Sequence, residues 1–330
     1  MKYALIFPGQ GSQNVGMGSD LCGTYPAAKA AFSEADNALG FKLSDIIFNG
    51  PEERLTLTAY TQPAILVTSI ALYRALTVDC GVKLSPECVA GHSLGEYTAL
   101  VASGVLSLAD GVRLVHSRGS FMQEAAPEGQ GAMAAIMGMD PDQVEIICSE
   151  VGKASVCEPA NYNTPVQLVI SGETEAVKRA ADLATQRGAR RAVMLNVSAP
   201  FHCSLMRPVA DRLAESMKAC TWNQGAFPLV ANVSGQLVSS VSDIRDGLYE
   251  QTYSPVQWVK SVRTMCGLGV SRFVEIGPGK VLSGMIKKIQ KDASCLSVET
   301  AGDLSRVAEF VASEDQECAV WLWSQEPDAA

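Results

Sequence analysis

Residues 91–95 read Gly-His-Ser-Leu-Gly, which has the G-x-S-x-G form of a nucleophile elbow, a sharp turn that joins a strand to a helix. A short apolar run, Cys88–Ala90, precedes the turn, and Glu96–Ala102 has the pattern of a helix. Backbone N–H groups at the N-terminus of such a helix can stabilise an oxyanion beside Ser93. The stretch therefore predicts a serine nucleophile.

A serine is a weak nucleophile until a base takes its proton, and the chain has three histidines. His92 is adjacent to Ser93, and neighbours at the apex of an elbow point in different directions, so we discount it as the base. His116 lies in a predicted helix beside its apolar stripe, which favours a structural role. His202 lies in the predicted loop Ser198–Cys203, and loops on a rigid scaffold often carry catalytic groups. We favour His202 as the general base; the alternative is a loop histidine with no catalytic role.

Arg118 lies three positions after Val115, close to the apolar stripe of the predicted helix that also contains His116. Most arginines are exposed to solvent with their stems on apolar surface. An arginine that faces inward near a serine nucleophile can instead bind a carboxylate through two parallel hydrogen bonds. In that case the substrate would be an acyl group with a free acid at its far end.

The elements that would position these residues follow an α/β pattern. Tyr3–Phe7 is predicted as a first strand, Ala27–Ala38 and Pro63–Leu76 as helices, and Ser107–Asp110 as a capping box that opens the helix of Arg118. After a linker at 128–131, the order becomes β-α-β-β-α-β, typical of a ferredoxin-like unit. Its strands are Ala132–Met137, Ser155–Pro159, Val166–Ser171 and Arg191–Val197, and its helices are Pro141–Glu150 and Glu173–Arg187.

The α/β pattern resumes after Ser198, so the middle unit is an insertion. The later elements are Phe227–Asn232, Arg272–Ile276 and a helix that follows Gly277–Lys280.

Composition excludes several classes of function. The chain has 330 residues, of which 47% are hydrophobic and 18% charged, and contains no apolar run long enough to cross a membrane. Pro8 interrupts the first apolar residues too early for a signal peptide. The net charge is −9, without a basic tail or a basic and aromatic patch for nucleic acid.

The ten cysteines include no C-x-x-C, which favours free thiols in a reducing compartment over disulfides. No histidine has zinc-ligand spacing, so a metal site is not expected. Residues 301–330 carry seven acidic side chains against one basic side chain, as in a solvated extension. Within it, Ala319–Trp323 must pack on the protein or bind a partner.

Seven separate stretches, in the same order, resemble the malonyl-CoA:acyl carrier protein transacylase family, and the likeness covers roughly residues 1–290. Their conjunction is far more specific than any one of them. The stretches are Phe7–Gln13, Thr61–Ala64, Gly91–Tyr97, Gly131–Ala135, Ala160–Pro165, Tyr253–Trp258 and Glu275–Leu282.

This resemblance implies an α/β-hydrolase-like large domain with an inserted ferredoxin-like subdomain. The expected division is a catalytic domain at 1–130 and 198–300, a small subdomain at 131–197 and an acidic extension at 301–330. Two departures are a valine, Val166, where the family often has glycine, and the acidic extension itself.

The resemblance also implies roles for individual residues. Ser93 would accept the malonyl group, with His202 as base and then acid, oriented by a backbone carbonyl. Gln10 and Leu94 would supply the N–H groups of an oxyanion hole, and Arg118 would bind the malonyl carboxylate. The remaining residues expected to line the substrate site are Gln251, Asn161, Asn163, Phe201 and His92.

The implied substrate is malonyl-CoA and the implied partner is holo acyl carrier protein, in a cytoplasmic monomer that supplies extender units for fatty acid synthesis without a metal or bound cofactor. An acidic carrier would dock on a basic face, although each basic cluster could also be an ordinary solvated surface. The two clusters are Arg187, Arg190 and Arg191, and Lys280, Lys287 and Lys288. A serine hydrolase, including one that strips acyl groups from carriers, and a non-catalytic docking subunit are the alternatives.

Overall fold

Two β-sheets organise the computed structural model, which describes residues 1–125, 129–153, 155–197 and 199–312. The strands are β1 Lys2–Phe7, β2 Cys88–Gly91, β3 Gly131–Met137, β4 Cys157–Thr164, β5 Gln167–Glu173, β6 Arg191–Met194, β7 Leu229–Val230, β8 Leu237–Val238, β9 Val270–Ile276 and β10 Ser294–Val298. The α-helices are α1 Pro26–Leu39, α2 Leu43–Asn49, α3 Glu52–Leu55, α4 Thr58–Arg74, α5 Leu94–Ala102, α6 Leu108–Ala125, α7 Pro141–Val151, α8 Thr174–Gln186, α9 Arg207–Lys218, α10 Val241–Gln251, α11 Trp258–Gly267, α12 Val281–Ile289 and α13 Ser305–Val311. Short 3₁₀ turns lie at Ser19–Leu21, Ser204–Met206 and Ala301–Asp303, and a π-helical turn extends α4 over Ala75–Asp79.

The large sheet has the order β10-β9-β1-β2-β7-β8, and only β8 runs antiparallel to its neighbour. The first strand lies at its centre, paired with β2 on one side and β9 on the other. Residues Ala4–Phe7 are fully buried, because helices cover both faces of a parallel sheet. The continuous apolar run at the start of the sequence is therefore the middle of the core.

The small sheet is antiparallel with the order β4-β5-β3-β6. Helices α7 and α8 pack on it through an apolar cluster that includes Ile136, Ile147 and Ile170. The order of elements along the chain is β3-α7-β4-β5-α8-β6, so the predicted ferredoxin-like unit within a mixed α/β fold is confirmed.

Strand β4 is longer than the sequence predicts. The polar run Asn161–Pro165 was expected to be a connection, because asparagine is uncommon in strands. Instead the strand continues to Thr164, where it pairs with β5 on one side. On the other side it forms an isolated parallel bridge to Val256 of the large domain.

Helix α4 begins at Thr58, one turn before the predicted start at Pro63. Proline has no N–H to bond the carbonyl four residues earlier, so the oxygen of Ala59 loses its helical partner. His116 replaces it, with Nδ1 2.8 Å from that oxygen. This contact gives His116 the structural role that its place in the sequence favoured.

The predicted capping box before α6 forms only in part. Ser107 Oγ accepts the Asp110 N–H at 3.0 Å. The Asp110 carboxylate is bound elsewhere, to Arg113 at 2.7 Å and to the Thr221 N–H at 3.4 Å.

The large domain extends beyond the expected boundary at residue 301. Leu304 and Val307 are buried in its core, and Arg272 donates to the carbonyl oxygens of Phe310 and Ala312 at 2.8 and 3.0 Å. Residues 301–312 therefore belong to the folded domain rather than to a solvated extension.

Parts of three predicted features lie outside the described residues. They are Glu128 in the linker, Ser198 at the return to the large domain, and 313–330 of the extension, which contain Ala319–Trp323. The nine cysteines in the described ranges are free thiols. Within those ranges no helix combines the length and the apolar character needed to span a bilayer.

Candidate active site

The predicted elbow forms between β2 and α5. Ser93 stands at its apex with φ 52° and ψ −107°, a backbone conformation that costs a residue with a side chain about 1–3 kcal/mol. A Cβ on Gly91 would lie 2.0 Å from the carbonyl of Gly95, and one on Gly95 would lie 2.1 Å from the oxygen of Phe7. Both glycines are therefore required, because backbone packs directly on backbone.

Two amide side chains hold the backbone of Ser93 in this conformation. Asn232 Oδ1 accepts the Ser93 N–H at 2.7 Å, and Asn232 Nδ2 donates to the Gly91 oxygen at 2.7 Å. Gln251 Nε2 donates to the backbone carbonyl oxygen of Ser93 at 2.8 Å. Since Asn232 is fully buried, these bonds do not compete with water and they offset the strain.

Ser93 and His202 form a hydrogen-bonded pair, with Oγ 2.7 Å from Nε2. The other ring nitrogen, Nδ1, lies 2.8 Å from the backbone oxygen of Gln251. A carbonyl can only accept, so Nδ1 carries the proton and Nε2 is free to accept from the serine hydroxyl. Burial, and next the positive charge of Arg118, lower the pKa of His202 to about 3, so the ring is neutral at pH 7.

Arg118 reaches the nucleophile from helix α6 although it is only 1% exposed. Its Nη1 donates to Gln62 Oε1 at 2.8 Å, and its Nη2 donates to Gln251 Oε1 at 2.9 Å and to Ser93 Oγ at 3.2 Å. Burial lowers the pKa of the guanidinium, and nearby Tyr97 and Glu96 oppose that shift. The site therefore holds a buried cation beside the serine hydroxyl.

Glu96 is a second buried charge-bearing group, 2% exposed. Its carboxylate accepts Gln251 Nε2 at 2.8 Å and the Asn232 N–H at 3.2 Å. Burial raises its pKa to about 7. In its ionised form the Glu96 carboxylate only accepts hydrogen bonds, so it turns the NH₂ of Gln251 toward itself and leaves Oε1 of Gln251 facing Arg118.

His92 points away from the serine hydroxyl: its Nε2 lies 2.8 Å from Asn163 Oδ1. This geometry agrees with its exclusion as the base. Asn161 is buried beside Asn163 in β4 but makes no side-chain hydrogen bond to the Ser93–His202 pair. Phe201 lies in an apolar cluster that joins the small sheet to helices α6 and α9.

The loop after β1 lies against the elbow. A Cβ on Gly9 would be 2.5 Å from the oxygen of His92, so this loop brings Gln10 close to Ser93. In the part of the chain that the structure describes, the backbone N–H groups of Gln10 and Leu94 donate no hydrogen bond. These two groups are thus free to bind an oxyanion.

A cleft of about 640 Å³ opens beside Gln10, between the large domain and the small sheet. It is lined by Gln10, Thr56, Leu57, Gln123, Gly129, Gly131, Ala132, Thr174, Leu195, Asn196 and Val197.

Comparison with known proteins identifies the family. The acyl transferase domain matches residues 4–315 of this chain. The chain belongs to this family of acyltransferases. The malonyl CoA-acyl carrier protein transacylase of Escherichia coli K12 is 49% identical over 288 residues, which are 87% of this chain and 93% of that protein.

Solved structures of similar proteins share the fold of this acyltransferase. The acyl-carrier-protein S-malonyltransferase of Bartonella henselae is 44% identical with a TM-score of 0.91, covering 94% of this chain and 100% of its own. A malonyl transacylase solved in complex with the holo acyl carrier protein of a type II PKS is 43% identical with a TM-score of 0.90, covering 94% and 99%.

Three polar residues of the acyltransferase site were not identified from the sequence: Gln62, Glu96 and Asn232. Glu96 directly follows the elbow motif, which was the only local signal for it. Asn232 is 139 residues from Ser93, and its only signal is that it ends the predicted strand Phe227–Asn232. Among the described residues, no group of His, Cys, Asp and Glu side chains could hold a metal ion.

One member of each basic cluster is already engaged within the acyltransferase. The guanidinium of Arg187 binds both carboxylate oxygens of Glu150, at 2.7 and 3.0 Å. Lys287 Nζ donates to the backbone oxygen of Ala293. The charge of Arg187 is therefore balanced by a carboxylate, whereas Lys287 keeps its charge because a carbonyl oxygen is neutral.

Proposed function

We propose that this acyltransferase transfers the malonyl group from malonyl-CoA to the phosphopantetheine thiol of holo acyl carrier protein, through a malonyl ester on Ser93. The observation that supports it best is that Ser93 Oγ lies 2.7 Å from the His202 base and 3.2 Å from the Arg118 cation. A nucleophile, a base and a carboxylate-binding group thus meet at one point. The transfer supplies extender units for fatty acid biosynthesis.

In the first half-reaction, His202 Nε2 takes the proton of Ser93 as Oγ attacks the thioester carbonyl carbon. The oxyanion that forms accepts hydrogen bonds from the backbone N–H groups of Gln10 and Leu94. Loss of one such donor typically lowers kcat about 10²–10³-fold. The carbon–sulfur bond then breaks, and the imidazolium returns its proton to the sulfur of coenzyme A. The product is a malonyl ester on Ser93.

The second half-reaction reverses these roles. His202 takes the proton of the phosphopantetheine thiol, the sulfur attacks the ester carbonyl, and the proton goes back to Ser93 Oγ. The Gln251 carbonyl favours the imidazolium at each step, because it accepts the Nδ1 hydrogen. One thioester replaces another, so no cofactor enters the proposed reaction.

Arg118 provides the selectivity for a carboxylated acyl group. In the free enzyme its Nη2 donates to Ser93 Oγ and Gln251 Oε1. The substrate carboxylate would replace part of these acceptors. A bond between the guanidinium and a carboxylate, in which both groups are charged, is stronger than the bonds to neutral oxygens that it replaces. His92, Asn161, Asn163 and Phe201 would line the acyl group.

The division of the chain in this proposal is a catalytic domain of 1–130 and 198–312 and a small subdomain of 131–197 that covers the elbow. The enzyme would act in the cytoplasm as a monomer. The cleft beside Gln10 would admit the thioester arm.

The test is intact-protein mass spectrometry after brief mixing with malonyl-CoA, methylmalonyl-CoA and acetyl-CoA, followed by a chase with holo carrier protein. The expected result is a malonyl adduct that carrier removes and that Ser93→Ala does not form. An adduct that water removes as fast as carrier would indicate a hydrolase. No adduct on the wild-type protein would favour a non-catalytic docking subunit.

A further inference from the structure

Strand β4 of the small sheet contacts all three segments that carry the reacting groups. These segments are the elbow at Ser93, the loop around His202 and the stretch that follows Gln251. The three contacts use different residues of β4 and different kinds of bond.

The first contact reaches the elbow. Asn163 Oδ1 lies 2.8 Å from Nε2 of His92, the residue before the nucleophile. The His92 ring also lies against Trp258, with centroids 5.7 Å apart, so it is held on two sides.

The second contact is backbone pairing. The Tyr162 N–H donates to the Val256 oxygen at 2.9 Å, and the Val256 N–H donates to the Ala160 oxygen at 2.9 Å. Val256 lies five residues after Gln251, whose oxygen orients His202. This pairing therefore connects the small sheet to the segment that orients the ring of His202.

The third contact reaches the histidine loop itself. The Glu158 carboxylate accepts the Ser204 N–H at 2.7 Å and the Ser204 hydroxyl at 2.6 Å. Ser204 is two residues after His202 and begins the helical run Ser204–Lys218. A carboxylate at a helix N-terminus makes charge-assisted bonds, which are stronger than neutral ones.

The histidine loop needs such support because its backbone is strained. His202 has φ 61°, a left-handed conformation that residues with side chains rarely adopt. Only a surrounding structure that fixes the loop keeps a residue in this region.

We propose that β4 aligns the three catalytic segments, and that Glu158 is a positioning residue that holds His202 against Ser93 through Ser204. The proposal deepens the proposed function, because it assigns to the small subdomain a part in the Ser93–His202 pair as well as in covering the cleft.

Two reactions test it. One is single-turnover malonylation of Ser93 by malonyl-CoA, followed by mass spectrometry. The other is inactivation by phenylmethylsulfonyl fluoride, in which Ser93 Oγ bonds to sulfur, fluoride leaves and His202 takes the proton. The second needs the Ser93–His202 pair but no malonyl group, so it keeps the test valid if the proposed function fails.

Glu158→Ala is expected to slow both reactions roughly tenfold, since small misplacements of a catalytic group are costly, and to leave half-saturation by malonyl-CoA unchanged. Ser204→Ala should give part of this loss, and the double variant should be no slower than Glu158→Ala. Glu158→Gln should recover part of the rate, because its amide oxygen still accepts the Ser204 N–H. The matched control is Glu145→Ala, which removes the acceptor of a 2.7 Å bond from the Tyr162 hydroxyl within the small subdomain and should react at the wild-type rate.

Wild-type rates in Glu158→Ala with both reagents would overturn the proposal. So would additive losses in the double variant, or an equal loss in Glu145→Ala. If the wild type reacts with the sulfonyl fluoride but not with malonyl-CoA, the proposed function fails while the sulfonylation rates still decide the role of Glu158.

Discussion

Replacing Asn232 by alanine should damage both the fold and the chemistry of this enzyme. The change leaves the Ser93 N–H and the Gly91 oxygen without their partners, each 2.7 Å away in the native protein. A buried polar group left unpaired costs about 1–3 kcal/mol, so the two together should cost about 2–6 kcal/mol of unfolding free energy. The strained backbone of Ser93 would then relax.

Relaxation of the elbow moves Oγ away from His202 and turns the Leu94 N–H away from the oxyanion. We expect the acylation rate to fall about 100-fold, as for other displacements near 1 Å at a reacting group. The assays are urea unfolding followed by circular dichroism, and quenched-flow malonylation read by mass spectrometry.

Asn223→Ala is the matched control, because that side chain is exposed and makes no hydrogen bond within the described residues. It should leave both quantities unchanged. The contrary result is that Asn232→Ala unfolds at the same urea concentration as the wild type and is acylated at the same rate. The elbow would then not depend on the two hydrogen bonds of Asn232.

Three further predictions concern charge. Arg118→Ala should lower malonyl transfer at least about 100-fold more than acetyl transfer, because only the malonyl group carries a carboxylate for the guanidinium. Equal losses in steady-state assays with the two thioesters would exclude that role. Because its pKa is lowered to about 3, His202 stays neutral as the pH falls from 8 to 5. A histidine with the ordinary pKa of 6.5 would lower the second-order acylation rate about tenfold per pH unit below pH 6.5. We expect no such loss here. A change of the acylation rate near pH 7 would come from titration of Glu96, whose pKa is raised to about 7. That change should disappear in Glu96→Gln when acylation is measured across the same pH range.

Short-range patterns in the sequence were sufficient for the elbow and for the inserted unit. The glycines of the elbow are required by backbone contacts within a few residues or with the adjacent strand, and such requirements are visible as a motif. The inward position of Arg118 followed from helical spacing, because the stripe that it joins is apolar.

The missed features depend on contacts between distant segments. Asn232 binds the elbow from the end of β7, the strand next to β2, and the sequence shows only that it ends a predicted strand. Strand β4 was ended too early because Asn161 and Asn163 have low strand propensity, which the pairing with Val256 overrides. Helix α4 was started too late because His116 supplies the hydrogen bond that Pro63 lacks.

The central place of β1 in the large sheet has a consequence for synthesis of the chain. Its two neighbours are made later, and β9 does not begin until Val270. At about 5–20 residues per second, roughly 13 to 53 s pass between completion of β1 and the first residue of β9. Through that interval one edge of a mostly apolar strand stays open to pairing with other chains. Release of the nascent chain before Ile276 would leave the strand destined for the protein's interior as a site of aggregation.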